Sequence, residues 1–175
     1  METIAKRIGF TALLGIALSS FAVHGAAADP DSQVSATGHA GFVNRVNGNA
    51  FDLSFSAIQH HDLTRTVSGE FQSRVVTSTG EFVRRTHGMV ICLTVTGNIA
   101  RIGGIITESS GNAPPPGTDV FATVVDNGQG ENDPNDLASP GGSGPGTALI
   151  HCATGLPQRL FPVTSGNIQV RPTGL

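Results

Sequence analysis

The stretch Met89 to Thr107, MVICLTVTGNIARIGGIIT, constrains the fold more than any other part of the chain. Two runs rich in β-branched residues flank Gly97-Asn98, a pair that tolerates the positive φ of a tight turn. The spacing predicts a long strand from Glu81 to Val95, bent at Gly88, followed by a strand from Ile99 to Ser109. Strict alternation places Val83, Arg85, His87, Met89, Ile91, Leu93 and Val95 on one face. Phe82, Arg84, Thr86, Val90, Cys92 and Thr94 fall on the other. Gly103-Gly104 inside the second strand marks a bulge or the close approach of another backbone.

The same period of two runs through most of the chain. Val34 to Phe42 is a weaker strand, and Ala50 to Gln59 a clear one, with Phe51, Leu53, Phe55 and Ala57 alternating with polar residues. Asn47-Gly48-Asn49 forms the turn between them. Thr64 to Thr77 alternates again through Val67, Gly69, Phe71, Ser73 and Val75, and Asp119 to Asp126 adds a further strand. Ala148 to Cys152 and Asn167 to Val170 read as short closing strands. No helical period of any length is visible after the first 28 residues. Pro114 to Gly117 is an exposed loop, and residues 127–146 form a long loop rich in Gly, Pro, Asn and Asp. Strands joined by short turns favour a meander. The expected fold is therefore all-β, a single small antiparallel β-barrel that is closed or half-open, with a β-sandwich as the alternative.

Residues 1–28 stand apart. Lys6 and Arg7 precede an uncharged apolar run from Ile8 to Val23, and Ala26, Ala27 and Ala28 offer small-residue cleavage sites, the layout of an export signal. The run is interrupted by Gly9, Gly15, Ser19 and Ser20, which argues against a retained spanning helix of about 20 apolar residues. The expectation is a secreted or periplasmic protein cleaved near Ala28, leaving residues 29–175 as one β-domain with no transmembrane segment.

Composition then excludes several classes of function. Without Glu2, Lys6 and Arg7 the chain has 12 acidic and 8 basic residues, so nothing favours binding to nucleic acid or an anionic membrane. Lys6 is the only lysine, which removes Schiff-base chemistry from the mature part. Trp and Tyr are absent and nine Phe supply all the aromatic surface, which counts against a sugar-binding groove. Charged residues make up 13% of the chain against about 25% in an average protein, a composition that suits β-barrels.

The segments VICLTVTGNIARIGGIIT, VVDNGQG and SGNIQV resemble a recurring pattern in exported bacterial β-rich proteins, over roughly Ala50 to Val170. The resemblance implies a β-rich fold and a secreted location, and transfers no catalytic residue.

Candidate chemistry is sparse. Cys92 and Cys152 are an even pair in an exported chain, so a disulfide is expected, with two buried thiols as the alternative. The segment from Asp126 to Asp136 gathers carboxylates, amides and glycines. Asp126, Glu131, Asp133 and Asp136 can supply hard oxygen ligands for calcium, although the spacing is not that of an EF-hand, and a solvated acidic loop is the alternative. His60 and His61 offer imidazoles for zinc or copper if they sit in a turn, since neighbours in a strand point to opposite faces. His87 and His151 are placed to face one another if the cysteines pair. Of Arg84 and Arg85, one would enter a barrel interior and there require a carboxylate or a bound anion. No nucleophile motif or carboxylate pair is present. The reading that follows is an exported non-enzymatic β-domain, structural or binding a small apolar ligand or a partner, with no cofactor beyond the calcium considered above. A small-barrel enzyme of cyclase, isomerase or hydrolase type is the alternative.

Overall fold

Long alternating strands joined by tight turns curl on themselves when one face is apolar, and this chain does so. In the computed structural model, which describes residues 33–60, 65–130 and 133–172, the strands are β1 (Gln33–Val43), β2 (Ala50–His60), β3 (Val67–Val76), β4 (Phe82–Thr96), β5 (Ile99–Gly111) and β6 (Asp119–Val125). Two-residue strands β7 (Leu137–Ala138) and β8 (Gly142–Ser143), helix α1 (Thr147–Thr154), β9 (Phe161–Pro162) and β10 (Ser165–Arg171) complete it. The export signal at residues 1–28, His61 and Glu131 lie outside the described residues.

β1 to β6 form an antiparallel meander, β10 pairs with the free edge of β1, and β7 extends the sheet beyond β6, with β9 beyond it. The sheet is strongly curled into an open barrel, within the fold class expected from the sequence. Its interior face carries Ala36, Ala40 and Phe42 on β1, Phe51, Phe55 and Ala57 on β2, Phe71 and Val75 on β3, Ile102 and Ile106 on β5, and Ile168 on β10, all buried. Phe42 stacks on Phe51 at 5.2 Å between centroids and on Phe161 at 6.3 Å, tying the first hairpin to β9.

Two glycines make room for an aromatic ring. A Cβ on Gly104 would lie 2.5 Å from Cε1 of Phe71, and one on Gly88 would lie 2.6 Å from the same atom. The ring of Phe71 therefore occupies the space that two side chains of β4 and β5 would otherwise fill.

The β4–β5 pairing shifts register twice, between His87 and Gly88 and between Val90 and Cys92. Gly103 and Gly104 lie opposite Cys92 and Val90, so Ile91 is the extra residue at the second shift. This is the irregularity expected at Gly103-Gly104. It also corrects the faces assigned by strict alternation: Val90 and Leu93 are both buried, because one inserted residue turns the strand's alternation over.

The segment read as a closing strand, Ala148 to Cys152, is instead α1. Its buried residues are Ala148, His151 and Cys152, spaced i, i+3 and i+4, the helical rather than the strand period. Eight residues are too few for an intrinsically stable helix. α1 is held by what it packs on: it crosses the outer face of β4 to β6, and Cys152 pairs with Cys92 of β4, their Cα atoms 6.2 Å apart. The expected disulfide thus pins a helix to the central hairpin. No helix among the described residues is long and apolar enough to cross a membrane.

Candidate ligand cavity and seam

The apolar interior is not filled to one end. Where the β1–β2, β3–β4 and β5–β6 connections gather, a cavity of about 210 Å³ opens into the barrel. Phe42, Phe51, Phe55, Phe71 and Ile102 wall its depth, while Pro114, Pro140 and Gly141 belong to the surrounding loops. An engineered protein cavity of roughly 150 Å³ with a comparable apolar lining stays dry and binds benzene. This one is somewhat larger and has a polar side.

The charged part of that polar side comes from β3 and β4, and Ser139 and Ser143 add hydroxyls from the β7–β8 side. Ser73 faces Thr86 across the pair, and Arg84 follows one inward position further along. Arg84 is half-buried, and its guanidinium carbon lies 5.9 Å from the centroid of Phe51. It forms no ion pair among the described residues. Arg85 points outward and donates to the side-chain oxygen of Gln72 at 3.2 Å. Of the two arginines, Arg84 is the one at the cavity.

Along the seam between β10 and the β6–β7 edge, the open barrel is bridged by side chains. Asp126 follows β6 and Asp136 precedes β7, and both reach across to β10. The two oxygens of Asp136 accept from Asn127 N–H at 2.9 Å and Ile168 N–H at 2.8 Å. Those of Asp126 accept from Gly128 N–H at 3.0 Å and Val170 N–H at 2.9 Å. Ile168 and Val170 therefore bond through carboxylates at the edge where a closed barrel would use a neighbouring strand. Asn135 adds a bond from its amide to the carbonyl of Val163 at 3.0 Å.

This geometry bears on the acidic segment. Asp133 accepts from Gly130 N–H at 2.6 Å, so three of the four carboxylates considered for calcium bond to backbone. Among the described residues, no three His, Cys, Asp or Glu side chains gather as a metal site would require. His60 ends β2 and is exposed. His87 and His151 do not meet: His87 lies on the outer face, 3.4 Å from Glu70, one of two exposed His–carboxylate pairs there, the other being His39 and Asp52 at 3.1 Å.

His151 is the buried titratable group of α1. Its ring packs on Phe121 at 4.7 Å between centroids. Leu156 N–H donates to Nδ1 at 3.1 Å, which leaves Nε2 to carry the proton toward the carbonyl of Ala122 at 3.2 Å. Burial holds its pKa below the ordinary histidine value; the bond to Ala122 opposes this, and nearby Arg101 adds to it. His151 lies outside the cavity and serves as a latch for α1.

The seam carboxylates and the His151 latch are not visible as strand pattern. The inward placement of Arg84 was legible only as one of two alternatives. No family model, curated protein or solved structure matches the chain.

Proposed function

We propose that the chain is an exported, non-enzymatic binding module that holds a small, largely apolar ligand inside the open barrel. The observation that carries this reading is the cavity of about 210 Å³ among phenylalanine rings, which the side chains of the described residues leave open. Small β-barrels either fill their interior with side chains or hold one small ligand. Apolar walls with a few convergent polar groups are the usual composition of such a site. The enzymatic alternative asks for a titrating group directed into the cavity, whereas His151, whose pKa is shifted, is engaged beneath α1. Export is supported by the signal layout of residues 1–28 and by the disulfide, which suits an oxidising compartment. N-terminal sequencing of the exported protein should begin at Asp29 or Ala27.

The binding test uses N-phenyl-1-naphthylamine, an apolar dye that fluoresces when it leaves water. The protein should enhance its emission saturably, and Ser73→Phe, which fills the cavity from β3, should abolish the enhancement while the protein still melts cooperatively. Absence of enhancement in the unaltered protein, or equal enhancement by Ser73→Phe, overturns the reading.

A further inference from the structure

We infer that the ligand is a small amphipathic monoanion, with a carboxylate seated at Arg84 and an apolar body against Phe51, Phe55 and Phe71. This rests on the cavity reading above and specifies the chemistry that the cavity selects. The starting point is the uneven distribution of polarity around the cavity. Among the described residues that line it, Arg84 is the one charged residue, and the hydroxyls of Ser73 and Thr86 stand next to it on the same wall. Phe42, Phe51, Phe55, Phe71 and Ile102 supply the apolar depth, and Ser139 and Ser143 add uncharged hydroxyls from the β7–β8 side. A ligand matched to this surface has one anionic end and one apolar end.

Position sets the orientation. Arg84 lies near the start of β4, opposite Val75 on one side and Gly111 on the other, at the end of the barrel where the cavity opens. Phe55 and Phe71 pair with one another two rungs deeper. The head of the ligand therefore sits toward the mouth and its body points inward.

Energetics favour an anion over a neutral polar group. A guanidinium within an apolar wall loses hydration, and a ligand that covers it without neutralising it adds to that cost. The face of Phe51, 5.9 Å from the guanidinium carbon, offers partial compensation. The N–H fork remains free to meet two oxygens side by side, the geometry of a carboxylate. A single lining cation matches a single negative charge better than a dianionic phosphate.

Calorimetric titration of the purified protein with 3-phenylpropionate and with 3-phenylpropan-1-ol tests this, because the two differ mainly in the charged head. The acid should bind on the order of tenfold more tightly than the alcohol, the margin expected of a charge-assisted bidentate contact. Arg84→Met should erase the preference by weakening the acid, with the alcohol bound as tightly or more tightly because no guanidinium is then covered unpaired, while Arg85→Met on the outer face should alter neither. In the unaltered protein, added salt should weaken binding of the acid and not of the alcohol, a readout that stands even if Arg84→Met does not fold. Equal affinities for acid and alcohol, a salt-insensitive acid, or equal losses from Arg84→Met and Arg85→Met overturn the inference and leave cavity binding intact. Failure of both compounds to bind overturns the cavity reading itself.

Discussion

The meander β1–β6 and the return segment 126–164 face the same problem, satisfying backbone groups around a small core, and handle it differently. The meander does so with continuous ladders, eleven paired positions between β1 and β2 alone. Among its described residues the return segment has two-residue strands and one short helix, and it is stitched down by side chains: Asp126, Asp136, Asn135, His151 and Cys152. A ladder distributes its stability over many equivalent bonds, so single changes on its solvent face should matter little. A stitch concentrates it. Asp126, Asp136, Asn135 and His151 of the return segment are engaged in hydrogen bonds, whereas Arg84, inside the meander, forms no ion pair among the described residues. Engagement thus separates the charges that hold the fold from the one available to a ligand.

The largest effect should come from removing the covalent stitch. The disulfide closes a loop of 60 residues, which the chain-entropy model values at roughly 4 kcal/mol. Cys92→Ala combined with Cys152→Ala should lower the urea midpoint by a corresponding amount and release α1 first, seen as early hydrogen exchange in residues 147–155. A midpoint within error of the unaltered protein would show that the return segment does not depend on this link.

Asp136→Ala comes next. It leaves the N–H groups of Asn127 and Ile168 without partners, the second of them in a buried bond. Each orphaned buried donor costs about 1–3 kcal/mol, so a loss of roughly 3 kcal/mol is expected. Asp136→Asn should recover only part of it, since an amide presents one acceptor oxygen where the carboxylate has two. Loss of exchange protection at Ile168 would locate the damage at the seam.

What could be read from the sequence follows this division. Strand positions in the meander were legible because one face of each strand is buried and the pattern has period two. Ala148 to Cys152 misled because its buried set is three residues in a single turn, too few to outweigh the alternation of Ala148, Ile150 and Cys152. The roles of Asp126 and Asp136 were hidden for another reason. Nothing local distinguishes a carboxylate that caps the N–H groups of β10, 32 and 44 residues away, from one that would hold a cation. The cavity was hidden too, since alternation shows which side chains face inward and not whether they fill the space.

A smaller, pH-dependent effect should come from His151. Its folded pKa is depressed by burial, so the unfolded chain binds the proton more readily. The stability contribution is complete above the unfolded value of about 6.5 and is lost as pH falls through the lower folded value. Protonation of Nδ1 would also set two hydrogens against each other at Leu156. Urea midpoints of the unaltered protein should therefore fall between pH 7.5 and 5 by more than those of His151→Gln. Parallel curves would remove His151 from the latch.

The smallest change in stability should come from the residue with the greatest consequence for binding. Arg84→Met removes a cation that has no ion-pair partner among the described residues and replaces it with an apolar chain in an apolar wall. The lost contact with Phe51 costs about 0.5–1 kcal/mol, and relief of the guanidinium's desolvation offsets it. The unfolding free energy should therefore stay within about 1 kcal/mol of the original or rise, in contrast to Asp136→Ala, although each variant removes one charge. A large destabilisation by Arg84→Met would place Arg84 among the stitches and end the distinction between charge that closes the barrel and charge kept for a ligand. A neutral or stabilising result, together with loss of the preference for the acid, assigns Arg84 to recognition, because a residue that contributes little to the fold while selecting the ligand's head is a binding group.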